Sequence, residues 1–171
     1  MTKKERALKA VEILKELYPE AICSLNYSNP FELLVAVRLS AQCTDARVNL
    51  VTPALFEKYK TPADFAAANV EDIEKLIYSC GFYKSKAQSI VEMAQKIITE
   101  FNNEVPDTIE KLITLPGVGR KTANLIVGDV YGKEAIVVDT HCIRISNRLG
   151  LVAEKAVSYT HLRAHETVLD L

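Results

Sequence analysis

The stretch Leu115-Pro116-Gly117-Val118-Gly119-Arg120-Lys121-Thr122-Ala123-Asn124 gathers residues suited to holding a charged partner. Two glycines one residue apart allow a tight turn and let a partner approach the backbone closely. Helical patterns lie on both sides, and the second begins at Gly119 or Arg120. The first N–H groups of a helix have no partner within it, so such a start is a site for an anion. Gly-x-Gly alone is also what a plain turn between packed helices contains. It is not a dinucleotide fingerprint here, because no strand–helix–strand unit surrounds it. The cysteines Cys23, Cys43, Cys80 and Cys142 are scattered, whereas metal clusters use short local spacings; free, mostly buried thiols are expected. His161 and His165 are four residues apart, but a pair without a third ligand is a weak metal site.

The elements that must position these residues read as helical nearly throughout. Ala7, Leu8, Val11, Leu14 and Leu17 recur at helical spacing before Pro19. Asn29-Pro30 and Thr61-Pro62 are cap-plus-proline starts, and Thr44-Asp45 opens another helix that Pro53 restarts or kinks. Val70 to Ile77 makes a short amphipathic helix that Gly81 stops. Lys84 to Phe101 is the longest clean pattern. A short helix follows Pro106-Asp107-Thr108 and runs through Leu112, and Arg120 to Val130 is helical. Ala135-Ile136-Val137-Val138 is short and isolated, so it reads as a buried connector rather than a strand. Asp139 or Thr140 caps a last helix through Leu149. The fold class is all-α, built from short helices with tight connections.

Composition fits that reading. The 171 residues suffice for one domain or two small ones. With 49% hydrophobic and 25% charged residues, the chain is globular rather than disordered. It has no Trp and only 7% aromatics, so the core is expected to be aliphatic. Lys plus Arg number 21 against 22 acidic residues. Bulk charge therefore does not announce a nucleic-acid binder, and such a role needs a local basic face. No run of about 18 apolar residues would span a membrane. The charged start Met1-Thr2-Lys3-Lys4-Glu5-Arg6 is unlike a signal peptide, so a cytoplasmic location is expected.

The hairpin segment resembles the helix-hairpin-helix of the endonuclease III family of DNA glycosylases. The resemblance continues at Val138-Asp139-Thr140-His141, at Leu39-Ser40-Ala41-Gln42-Cys43-Thr44-Asp45 and at Gly81-Phe82-Tyr83-Lys84-Ser85-Lys86-Ala87. Four motifs in the right order carry it over roughly residues 4 to 155. It implies a helix-hairpin-helix glycosylase fold, with a six-helix barrel over residues 22–133 and an incomplete second helical domain from 1–21 and 134–155. Residues 156–171 read as a non-native tail, because Ser158 to Thr167 resembles translated sequencing-adapter read-through.

The resemblance also assigns roles. Lys121 would attack C1′ of the damaged nucleotide, expel the base and form a Schiff base that permits β-elimination. That chemistry needs a neutral amine, and partial burial, a helix start and a cation such as Arg120 all favour one. Asp139 would stabilise the cationic sugar and assist proton transfers, while also able to cap a helix. Gln42 would fill the space left by an extruded base, and Phe82 would wedge the opposite strand. Leu115, Gly117, Gly119, Arg120 and Thr122 belong to the hairpin that grips a phosphate. Lys84, Lys86 and Arg120 would supply the basic face. His141 supports its loop, and Arg144 and Arg148 share a surface face.

The chain departs from the family at its end. Intact relatives close with a cysteine loop that binds a [4Fe–4S] cluster, but no cysteine follows Cys142 here, so no cofactor is expected in this chain. The apolar faces of residues 7–18 and 140–151 are expected to stay exposed. The reading is a base-excision repair glycosylase and abasic-site lyase for oxidised pyrimidines, acting as a monomer on damaged double-stranded DNA at the nucleoid. The alternatives are a non-catalytic helix-hairpin-helix binding module and a monofunctional mismatch glycosylase. The latter usually lacks the lysine at the position of Lys121.

Overall fold

The computed structural model describes residues 1–152. The adapter-like segment, His161 and His165 lie outside the described residues. Two compact units form, one from Cys23–Lys133 and the other from Met1–Ile22 with the described residues from Glu134 onward.

The first unit is helical, with α2 (Pro30–Ser40), α3 (Asp45–Lys58), α4 (Pro62–Ala66), α5 (Val70–Ile77), α6 (Tyr83–Glu100), α7 (Ile109–Leu112) and α8 (Arg120–Asp129). Local chemistry sets the starts. Asn29 caps α2 by accepting from the Glu32 N–H, with Pro30 at the first position. Thr61 and Asp64 form a reciprocal capping box on α4. Thr44 caps α3 and Asn69 caps α5. Pro53 lies inside α3 without ending it, so of the two expectations, restart or kink, the restart is not seen, and the helix forgoes one N–H donor there.

Helix α2 is mostly apolar, with Leu33 to Val37 unbroken by a polar residue, and a helix of that kind must be largely buried. Leu33, Leu34, Val35, Ala36 and Leu39 are fully buried, and α3, α6 and α8 pack around α2. Each buried Leu or Val among them contributes about 1.5–3 kcal/mol on burial. Ala87, Ile90, Met93, Ala94 and Ile97 give α6 its buried face. The core is aliphatic except at one corner. There Phe65 meets Phe31 at 5.3 Å, Tyr59 at 5.2 Å and Phe56 at 6.5 Å between ring centroids.

The second unit holds α1 (Lys3–Leu17) and α9 (Thr140–Arg148). A capping box of Thr2 and Glu5 starts α1, and Arg6 Nη1 donates to the Leu149 carbonyl at 2.7 Å. Leu8, Val11, Leu14, Leu17 and Ile145 remain exposed. Among the described residues there is no strand, and 135–138 is a connector outside any regular element, in which Val138 is buried.

Candidate nucleic-acid interface

The hairpin runs from α7 to α8. Leu115 N–H donates to Leu112 O at 3.0 Å and Val118 N–H to Leu115 O at 3.1 Å. Leu115 and Val118 are buried and pin the turn to the core. Leu115 is thus an anchor, and its side chain is not available to a partner. Gly117 has φ +76°, which side-chain-bearing residues rarely adopt. Gly119 precedes α8 and has open space where a Cβ would lie. No side chain caps α8, so its first N–H groups stay available to an anion. Arg120 and Lys121 are exposed in its first turn and Thr122 is half-buried. The partial burial expected of Lys121 is absent, because no neighbouring element covers it.

Two more turns converge near this hairpin, and the last turn of α2 organises all three. Arg38 reaches the hairpin: a Cβ on Gly117 would lie 2.5 Å from Arg38 Nε. Gln42, just past α2, is exposed with φ +53°. Phe82, just before α6, is exposed with φ +58° and leaves α6 without a side-chain cap. These two turns touch, since a Cβ on Gly81 would lie 3.2 Å from Gln42 O. Gln42 and Phe82 therefore stand side by side on protruding, left-handed residues. Lys84 is exposed in the first turn of α6. Among the described residues, Lys84, Arg120 and Lys121 enter no ion pair.

Lys86 departs from the expected phosphate contact. It is 1% exposed, and its Nζ donates to Leu39 O at 2.7 Å. That carbonyl lies in the last turn of α2, where helix geometry leaves acceptors unsatisfied and favours a cation. The Lys86 stem packs in the core, so its ammonium serves α2 rather than DNA. Burial lowers its proton affinity; the nearby Cys80 and Cys43 oppose this and Arg38 adds to it.

Sequence reasoning missed Arg38 and Ser89. Arg38 Nε donates to Ser89 Oγ at 2.8 Å, and Ser89 Oγ donates to Lys86 O at 3.0 Å. The signal was a lone cation in the apolar run Leu33 to Leu39. It also missed that Cys43 faces Cys80, whose thiol is pushed up to about 11, chiefly by burial.

In the other unit, Asp139 caps α9, its Oδ1 accepting from the Cys142 N–H at 2.8 Å. Arg144 Nη2 lies 3.2 Å from His141 Nδ1, and His141 and Arg148 are exposed. Cys43 faces Cys80, Cys23 lies beside Asp129, and among the described residues no three acidic, His or Cys side chains could share a metal. No described helix is long and apolar enough to cross a membrane.

A hairpin with an uncapped helix start, flanked by two protruding turns and unpaired cations, defines a helix-hairpin-helix base-excision repair protein. The family profile described as "HhH-GPD superfamily base excision DNA repair protein" matches residues 35–168. Endonuclease III of Synechocystis sp. is 52% identical over 151 residues, covering 88% of this chain and 69% of that protein. Endonuclease III of Bacillus subtilis is 52% identical over 136 residues, covering 80% and 62%. A solved structure titled as a trapped endonuclease III–DNA covalent intermediate superposes with a TM-score of 0.86 at 46% identity, covering 94% of this chain and 76% of that one. The chain belongs to the endonuclease III family, whose members are DNA glycosylases and abasic-site lyases.

Proposed function

We propose that this chain excises oxidised pyrimidines from double-stranded DNA and cuts the strand at the resulting abasic site, with Lys121 as nucleophile. The observation that carries the reading is Lys121 itself: an exposed amine in the first turn of an uncapped helix, directly after a glycine hairpin. The hairpin N–H groups hold a backbone phosphate, which sets the register of the duplex. Phe82 separates the strands and Gln42 enters the gap, so the extruded nucleotide is kept out of the stack. The Lys121 amine then bonds to C1′ as the C1′–N bond to the base breaks. Loss of a proton and ring opening give the Schiff base, and removal of a C2′ proton expels the 3′ phosphate. The Asp139 carboxylate stabilises the positive charge on the sugar and assists the proton transfers. No step calls on a metal or a cluster. The enzyme acts as a monomer in the cytoplasm, at the nucleoid.

The covalent DNA intermediate trapped for a relative supports the Schiff-base path. The test is borohydride reduction of this chain on duplex DNA carrying one abasic site, beside Lys121→Ala. A covalent adduct lost in the variant is expected. An adduct that persists in Lys121→Ala removes Lys121 from the mechanism. A chain that binds the duplex but forms no adduct favours a binding-only module.

A further inference from the structure

Among the described residues, Arg38 is a cation without a counter-ion. It sits half-buried in the last turn of α2, beneath the hairpin, with its side chain against the Gly117 backbone. Of its five N–H donors, Nε is used on Ser89. Among the described residues, neither Nη group has an acceptor, and no carboxylate pairs with the guanidinium. A partly desolvated charge left unpaired costs stability, and such charges are ordinarily matched. Here the environment makes matters worse, because the buried Lys86 ammonium is close enough to repel it. Burial lowers the Arg38 proton affinity, but a guanidinium stays charged at neutral pH. The Arg38 cation therefore underlies a turn whose own N–H groups already favour an anion. The missing partner is negative, and the fork of unused Nη donors suits the oxygens of a phosphate.

Resting on the DNA-binding reading above, we infer that Arg38 is a phosphate-binding residue, supplying charge-assisted donors to the backbone phosphate held by the Gly117–Gly119 hairpin. The hairpin alone would contribute neutral N–H groups. Arg38 adds a full charge from below, in a setting that salt screens weakly.

The test uses the full chain and a duplex carrying one non-cleavable tetrahydrofuran abasic analogue, with affinity measured across a range of KCl concentrations. Arg38→Met is expected to weaken binding about tenfold at low salt and to reduce the slope of log K against log salt by about one phosphate contact. Arg38→Lys keeps the charge and is expected to retain the slope. Ser89→Ala removes the Nε acceptor and leaves the charge, so it is also expected to retain the slope. If Arg38 served only to brace the hairpin, Ser89→Ala and Arg38→Lys would both lose affinity as Arg38→Met does, and the inference would be overturned. A scan of single neutral methylphosphonates compares wild-type chain with folded Arg38→Met. One position should weaken wild type clearly more than it weakens Arg38→Met, in which the hairpin N–H groups still meet that phosphate, and absence of such a position overturns the inference. Wild-type chain that binds no DNA overturns the DNA-binding reading itself. Wild-type chain that binds well, with Arg38→Met unchanged, overturns the role of Arg38 alone.

Discussion

The Lys86 ammonium donates to the Leu39 carbonyl at 2.7 Å, across 47 residues of sequence. A buried cation thereby closes the end of the most apolar helix in the molecule. The same helix end places Arg38 under the hairpin and leads into Gln42, so the bond fixes the point from which the interface is built.

Lys86→Ala should lose about 2–4 kcal/mol, since it empties core volume and leaves a buried carbonyl unpaired. Lys86→Met keeps the volume and should lose less. Denaturant titration of both variants checks the order. Because Lys86 faces inward, folded Lys86→Met should keep the salt slope of DNA binding, the opposite of a phosphate contact.

Gly117→Ala should be harmful twice over. A Cβ at φ +76° costs about 1 kcal/mol, and it would press on Arg38 Nε and Cδ and on Ser89 Oγ. Stability should fall by about 1–3 kcal/mol and DNA affinity should fall with it. Gly119→Ala meets no atom of the chain, so its melting temperature should stay near wild type. Any loss of DNA affinity there would report the close approach of the partner.

Asp139 both caps α9 and carries a charge, and the two can be separated. Asparagine caps a helix about as well as aspartate. Asp139→Asn should therefore fold with near wild-type stability while its turnover on abasic DNA falls by about 10²-fold or more. Asp139→Ala should lose about 1 kcal/mol of stability in addition. Single-turnover kinetics beside thermal melts separate the effects, and full activity in Asp139→Asn would remove the carboxylate from the chemistry.

Phe65 is 1% exposed and meets three other rings. Phe65→Ala should cost about 3–5 kcal/mol. Because the ring is remote from the hairpin in sequence and wholly in the core, the variant that remains folded should show the wild-type salt slope. Equilibrium unfolding and binding measured on the same sample decide this.

Cys80 gives the protein an alkaline dependence. Its thiol is held up to about 11 against an ordinary 9.0, by burial first and by Cys43 second. The folded state thus keeps a proton that the unfolded chain releases. The stability this contributes is complete below pH 9 and is lost as the pH rises toward about 11. Unfolding measured from pH 8.5 to 10.5 should show a steeper loss in wild type than in Cys80→Ala. Equal slopes would mean that the thiol is not held in this way.

Much of the molecule was legible in the residues themselves. Caps such as Asn29 and Thr61 act within one turn of chain, so they can be read locally, and the helices begin where these residues stand. The apolar periodicity of α6 and the isolation of 135–138 were enough to give an all-α fold. The Gly117 turn and a helix start at Arg120 follow from a contiguous motif, whereas the exposure of Lys121 does not. What only tertiary structure decided is which way long side chains point and which distant turns meet. Lys86 and Lys84 look alike in sequence, yet one ammonium is buried on a carbonyl of α2 and the other is in solvent. Nothing local announces that Arg38 lies under Gly117, that Gly81 touches Gln42, or that Cys43 faces Cys80. Those relationships depend on how α2 packs among α3, α6 and α8. A chain's spacing fixes its periodic faces, but contacts between elements are set only when the whole core closes.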